Sequence, residues 1–100
     1  MKIQWTDSAV ADLDDIDIFL REEASSETAL SVIFRVLDTI EKILPGYPEA
    51  GRLGRVAATR ELVIPGLPYI IVYRADTSQR LIQILRVMHD ARSWPDDNFL

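Results

Sequence analysis

The sequence of 100 residues contains no cysteine and a single histidine, His89. Without cysteine there can be no disulfide and no thiolate ligand, and one imidazole cannot build a zinc site with others of its kind. We therefore expect no metal and no cofactor. Apolar runs long enough for a signal peptide or a membrane-spanning helix are also missing, so we expect a cytoplasmic protein without membrane contact.

Lysine is scarce as well, and the net charge of −5 disfavours binding to a phosphate backbone. The charge is uneven along the chain. Residues 1–50 carry four basic and eleven acidic side chains, whereas residues 51–93 carry seven arginines and three acids. Because arginine suits carboxylate, phosphate and stacked partners, the C-terminal half is the predicted partner-binding surface. We expect no direct sequence-specific binding of nucleic acid.

Apolar residues make up 48% of the sequence and charged residues 27%, which is a globular balance. A chain of this length builds one hydrophobic core. We therefore predict a single domain over residues 1–100, with a tail at 96–100 that frays.

Two helices are predicted in the first half. The alternation of Lys2 to Trp5 is typical of a short strand, and Thr6 and Asp7 can cap a helix that begins near Ser8. A second helix runs from Glu27 to the break at Pro45 and Gly46. Their apolar stripes are Ala9, Leu13, Ile16 and Leu20, then Ala29, Ile33, Leu37, Ile40 and Leu44. The short connection between them predicts an antiparallel hairpin.

Three strands are predicted in the second half: Arg60 to Ile64, Tyr69 to Tyr73 and Arg80 to Met88. The middle one is apolar throughout, as is typical of a strand buried on both faces. Short polar turns join them, which predicts an antiparallel meander. The fold is therefore predicted to be α+β in the order β-α-α-β-β-β, with the helix hairpin packed across an antiparallel sheet that the N-terminal strand completes.

Several segments resemble one known family. They are Ile3-Gln4-Trp5-Thr6, Pro48 to Arg52, Arg60 to Val63, Pro68 to Arg74, Ile84 to Arg92 and Trp94-Pro95. Together these segments resemble the RelE/ParE toxin superfamily of bacterial type II toxin–antitoxin systems, and the ParE branch in particular. The resemblance implies the RelE/ParE-like fold over nearly the whole chain. It also implies a hetero-oligomeric complex with a small ParD-like antitoxin, and growth arrest when the toxin is released.

The resemblance leaves three functions open. RelE-like members cut mRNA on the ribosome, and here Arg60, Arg86 and His89 would be the catalytic residues. ParE-type members inhibit DNA gyrase by binding and have no nuclease chemistry. A non-toxic relic that only forms complexes is the third hypothesis. No lysine lies in the sheet region, and Ile70 stands where several nucleases carry an arginine. We therefore predict a gyrase-binding inhibitor with no catalytic residues.

The predicted partner-binding residues are Arg52, Arg55, Arg60, Arg86, Arg92 and Trp94. Arginine and tryptophan are enriched in interface hot spots. The antitoxin is expected in a groove between hairpin and sheet, with its carboxylates facing Arg52, Arg55, Arg60 or Arg86.

Structural roles compete with these functions. Arg86 can pair with a carboxylate such as Glu61, and Arg60 can also be structural. His89 can cap the strand that it follows. Trp94 either folds back onto the core or meets a partner. Tyr69 and Tyr73 are expected in the core and at its rim, and the cluster Asp12 to Asp17 on a solvated helix face.

Overall fold

A computed structural model describes residues 1–95; the tail predicted to fray lies outside this range. The elements are β1 (Lys2–Trp5), α1 (Asp7–Glu23), α2 (Ser26–Ile43), β2 (Arg52–Leu53), β3 (Arg60–Val63), β4 (Tyr69–Asp76) and β5 (Leu81–His89). They form one five-stranded sheet in the order β1-β5-β4-β3-β2. The predicted α+β architecture is confirmed.

The sheet is mixed rather than wholly antiparallel. The meander β3-β4-β5 is antiparallel as predicted. The first strand, however, pairs in parallel with β5, from Lys2 opposite Leu81 to Trp5 opposite Ile84, and the two-residue β2 was not predicted. Alternation along a strand determines which side chains share a face and leaves the direction of the neighbouring strand open.

The helix α1 begins at a cap that also joins it to the sheet. The Thr6 hydroxyl accepts a hydrogen bond from the Ala9 N–H at 3.2 Å and donates one to the Leu85 carbonyl at 3.0 Å. Ala9 is fully buried, and Leu13 and Ile16 pack against the same core. Three of the four residues of the predicted stripe therefore face the core as expected, whereas the fourth, Leu20, is only partly buried and does not join it. The helix α1 lies close to β5.

The buried face of α2 differs in part from the predicted one. Ser25 caps the helix, and Ala29, Val36, Ile40 and Leu44 are buried. The predicted Leu37 is instead 38% exposed. Apolar residues cover more of this helix than the sheet and α1 can bury, so periodicity alone could not select the inward face.

Both faces of β4 are buried, as predicted. Tyr69, Ile71 and Tyr73 face the helices within the main core. The alternate residues Ile70 and Val72 lie on the opposite side, which we call the outer face, because successive strand residues point to opposite sides of a sheet. No helix within residues 1–95 is long and apolar enough to cross a membrane.

Candidate functional site

A buried carboxylate organises the outer face of the sheet. The Glu61 side chain is only 1% exposed. Its Oε1 accepts hydrogen bonds from Arg52 Nε and Nη2 at 3.2 and 3.1 Å. Its Oε2 accepts one from the Arg55 N–H at 2.8 Å. A charge taken out of water must be paired and hydrogen-bonded in this way, so both arginines act here as internal ties.

Trp94 folds back onto the outer face, which is one of the two roles expected for it. It is 8% exposed and belongs to a cluster with Ile70, Val72 and Met88. The Arg55 guanidinium lies over the indole, with Cζ 3.8 Å from the ring centroid, in cation–π geometry. Arg55 therefore joins the C-terminal segment to the Glu61 carboxylate.

Arg86 pairs with a carboxylate from α1, so the suggested pairing with Glu61 was wrong. Asp12 Oδ2 accepts from Arg86 Nε at 2.7 Å, and Oδ1 accepts from Nη2 at 2.9 Å. The same Oδ2 also accepts from the Val87 N–H at 2.9 Å. The strand β1 ends opposite Ile84, so it has no residue that could pair with Val87 of β5. The Asp12 carboxylate supplies the hydrogen-bond acceptor for the Val87 N–H instead. The bidentate pair locks α1 to the sheet.

Arg60 and Tyr73 hold the loop before β2. Arg60 Nη1 donates to the Gly51 carbonyl at 2.9 Å. The Tyr73 hydroxyl donates to the Pro48 carbonyl at 2.7 Å and accepts from the Gly51 N–H at 2.9 Å. Burial raises the pKa of this phenol above its usual 10.0. A Cβ at position 51 would lie 2.8 Å from the tyrosine ring, so only glycine fits without a shift.

The three residues of the nuclease hypothesis are each held by a different neighbour. Arg60 binds the Gly51 carbonyl and Arg86 binds Asp12. His89 Nδ1 accepts a hydrogen bond from the Ala91 N–H at 3.0 Å, and its ring meets the Tyr69 ring edge-on at 5.7 Å. Each of the three side chains thus has a structural contact of its own.

An apolar groove opens between the helix hairpin and the sheet. We call it the hairpin groove, and its volume is about 620 Å³. Its apolar lining includes Ile16, Phe19, Leu20, Val32, Leu67 and Val87. Phe19 is 58% exposed, so part of this lining faces water. The Tyr69 ring also lines the groove, and burial raises the pKa of its phenol.

Charged side chains line the same groove. Asp12 and Asp15 come from α1, and His89 and Arg92 come from the end of β5 and the segment after it. Arg92 is the one predicted partner-binding arginine whose side chain makes no ion pair or hydrogen bond with residues 1–95. Of the predicted arginines, it is also the one placed in the groove.

Sequence reasoning missed several residues of the hairpin groove. Asp15 is exposed, as predicted, but its place at a groove was not foreseen; Asp12 was assigned to the same solvated face and is instead bound by Arg86. Phe19 and Leu67 were not singled out. The available signal was Phe19 itself, a large apolar residue outside the buried stripe of α1. Within residues 1–95, no group of three or more His, Asp or Glu side chains could hold a metal ion.

Comparisons with known proteins give a consistent result. The model of a family described as the ParE toxin of the type II toxin–antitoxin system parDE matches residues 3–94. Y4kP, a provisionally named toxin of Sinorhizobium fredii, is 39% identical over 94 residues, which cover 94% of this chain and 93% of that protein. A solved structure of the chromosomal ParDE system from P. aeruginosa matches with a TM-score of 0.80 and 28% identity, covering 89% of this chain and 95% of that one.

Proposed function

Because this chain belongs to the family of ParE toxins of type II toxin–antitoxin systems, we propose that a small ParD-like antitoxin holds it inactive in a hetero-oligomer. Released from that complex, the single-domain toxin inhibits DNA gyrase in the cytoplasm by binding to it. The similar protein of P. aeruginosa belongs to a ParDE system, which supports a partner of this kind.

The hairpin groove supports the antitoxin part of the proposal. It is an apolar concavity formed by both helices, the turn before β4 and the end of β5. Exposed apolar surface of this kind marks interaction sites on soluble proteins. An amphipathic segment of the antitoxin fits such a groove, and each apolar side chain that it buries contributes about 1.5–3 kcal/mol.

The contacts that hold the sheet arginines within the toxin are the observation that supports inhibition by binding rather than by RNA cleavage. Cleavage of RNA needs a base for the 2′-hydroxyl, an acid for the leaving oxygen and cations for the phosphorane-like transition state. Here Arg86 is engaged by Asp12, and Arg60 by the Gly51 carbonyl. A toxin that inhibits its target by binding to it needs no such catalytic group.

The experiment measures two activities of the same purified toxin. Inhibition of gyrase supercoiling, or trapping of cleaved DNA, is expected. We expect the ParD-like antitoxin to be a ribbon-helix-helix protein encoded by a short reading frame immediately upstream, and adding it should relieve the inhibition. No effect on gyrase at micromolar excess would reject the target. Cleavage of ribosome-bound mRNA that disappears in Arg86→Ala and His89→Ala would instead establish a nuclease. If expression without the antitoxin leaves growth unaffected, the protein is a non-toxic relic that only forms complexes.

A further inference from the structure

The charges at the hairpin groove are divided between two elements, with carboxylates on α1 and a guanidinium in the segment after β5, and this division bears on the sequence of the antitoxin. Building on the antitoxin proposed above, we propose that the groove takes a bulky apolar side chain from an antitoxin segment with two flanking charges. A basic residue of that segment pairs with Asp15 on α1, and an acidic residue pairs with Arg92 in the segment after β5.

Two carboxylates lie on the α1 side, but only one is available to a partner. Asp12 is bound by the Arg86 guanidinium and the Val87 N–H. Asp15 lies almost one turn further along α1, is exposed, and makes no ion pair or side-chain hydrogen bond with residues 1–95. Pairing with a cation from the partner would therefore replace no internal contact.

The segment after β5 presents a cation on an ordered turn. The Arg92 N–H donates to the His89 carbonyl at 3.1 Å, and the Asp90 N–H donates to the Pro68 carbonyl at 2.9 Å. The Ala91 N–H is bound to the His89 ring. The backbone that carries Arg92 is thus held in place before any partner arrives. Preorganisation of this kind lowers the entropic cost of binding.

Charge also favours an antitoxin over a second copy of this chain. The helix α1 carries seven acidic side chains and one arginine, Arg21. A second copy that inserted its hairpin would bring like charges to a side that already presents Asp15, and like-charge juxtaposition is unfavourable. An antitoxin segment with a basic residue at this position meets no such repulsion.

The test uses the toxin and the ribbon-helix-helix protein expected from the upstream reading frame, with the dissociation constant measured at low and high salt. Reversing either charge, by Asp15→Lys or Arg92→Glu, should weaken binding about tenfold at low salt, because an attraction becomes a repulsion. High salt should reduce this effect. The matched controls Asp14→Lys and Arg80→Glu reverse exposed charges outside the groove and should stay within about twofold of wild type.

Two further measurements separate the outcomes. Phe19→Ala removes apolar lining without changing charge and should weaken binding equally at both salt concentrations. Binding by Arg92→Glu should recover when one acidic residue next to an apolar residue of the antitoxin is changed to lysine. Circular dichroism of each toxin variant should match wild type, since all these side chains are exposed.

Three results would overturn the inference. If both charge reversals bind like wild type while Phe19→Ala weakens binding, the divided charges do not select the partner, although the proposed antitoxin stands. If wild-type toxin forms no complex with the upstream protein, the proposed function and this inference fail together. If the toxin self-associates and Phe19→Ala abolishes that association, the occupant of the groove is a second copy.

Discussion

Replacing Glu61 by glutamine tests the internal tie on the outer face. Glutamine keeps the shape and one acceptor oxygen of the carboxylate, but its NH₂ group must face a donor, because the carboxylate receives hydrogen bonds at both oxygens. The variant therefore loses charge-assisted hydrogen bonds and places two donors against each other. The fold should remain, but with lower stability.

The magnitude follows from the burial of the three partners. Breaking a fully buried ion pair costs about 3–5 kcal/mol, since the remaining charge stays uncompensated. Here the side chains of Arg52 and Arg55 are partly exposed and regain water, whereas Glu61 is buried. We therefore expect the free energy of unfolding to fall by about 2–3 kcal/mol. For a domain of this size, the melting temperature should drop by roughly 10–20 °C.

Urea unfolding followed by circular dichroism measures this loss, and Glu49→Gln is the matched control. Glu49 is exposed, so its replacement should change stability by less than about 0.5 kcal/mol. Native tryptophan emission should also change in Glu61→Gln, because Arg55 lies over the Trp94 ring. Equal stability of Glu61→Gln and wild type would refute the assignment of Glu61 as the tie between the loop and the sheet.

Three further predictions concern other contacts. Tyr73→Phe leaves the Gly51 N–H and the Pro48 carbonyl without their partner and should lower the free energy of unfolding by about 1–3 kcal/mol in urea titrations. Asp12→Ala removes the acceptor of Arg86 and should cost about 2–4 kcal/mol, with exchange of the Val87 amide hydrogen accelerated in NMR spectra. Hydrogen bonds from the Ser78 hydroxyl and the Gln79 N–H lower the pKa of Asp76 below 3.8. A carboxyl whose pKa is lowered by folding stabilises the protein at pH values above its unfolded-state pKa, and this stability is lost as the pH falls through the folded-state pKa. Removing the carboxyl in Asp76→Asn should therefore reduce the loss of stability that wild type shows below about pH 4.

The arginines show what a local sequence pattern can predict and what it cannot. Composition correctly places most of the basic charge in residues 51–93. The partner of each arginine, however, depends on contacts between distant parts of the chain. Arg86 binds Asp12, 74 positions earlier, and that aspartate resembled its neighbours on an acidic helix face. Asp12 differs from the neighbouring aspartates only because the packing of α1 beside β5 brings it to Arg86.

The position of Trp94 was open for a similar reason. A tryptophan next to a proline near the chain end can pack or project, and nothing local decides between the two. The outcome depends on an apolar surface formed by Ile70, Val72 and Met88, which exists only once β4 and β5 are paired. The guanidinium of Arg55 then covers the ring.

The resemblance, strongest between residues 60 and 95, was enough to identify the family, and the family model matches residues 3–94. The sequence by itself also determined the two helices, the three-stranded meander and the burial of β4 on both faces, because helix and strand periods are local geometry. Tertiary structure alone decided the parallel pairing of β1, the pairing of Asp12 with Arg86, and the hairpin groove. Each of these depends on segments that are far apart in the chain and meet only in the folded core, which no local period encodes.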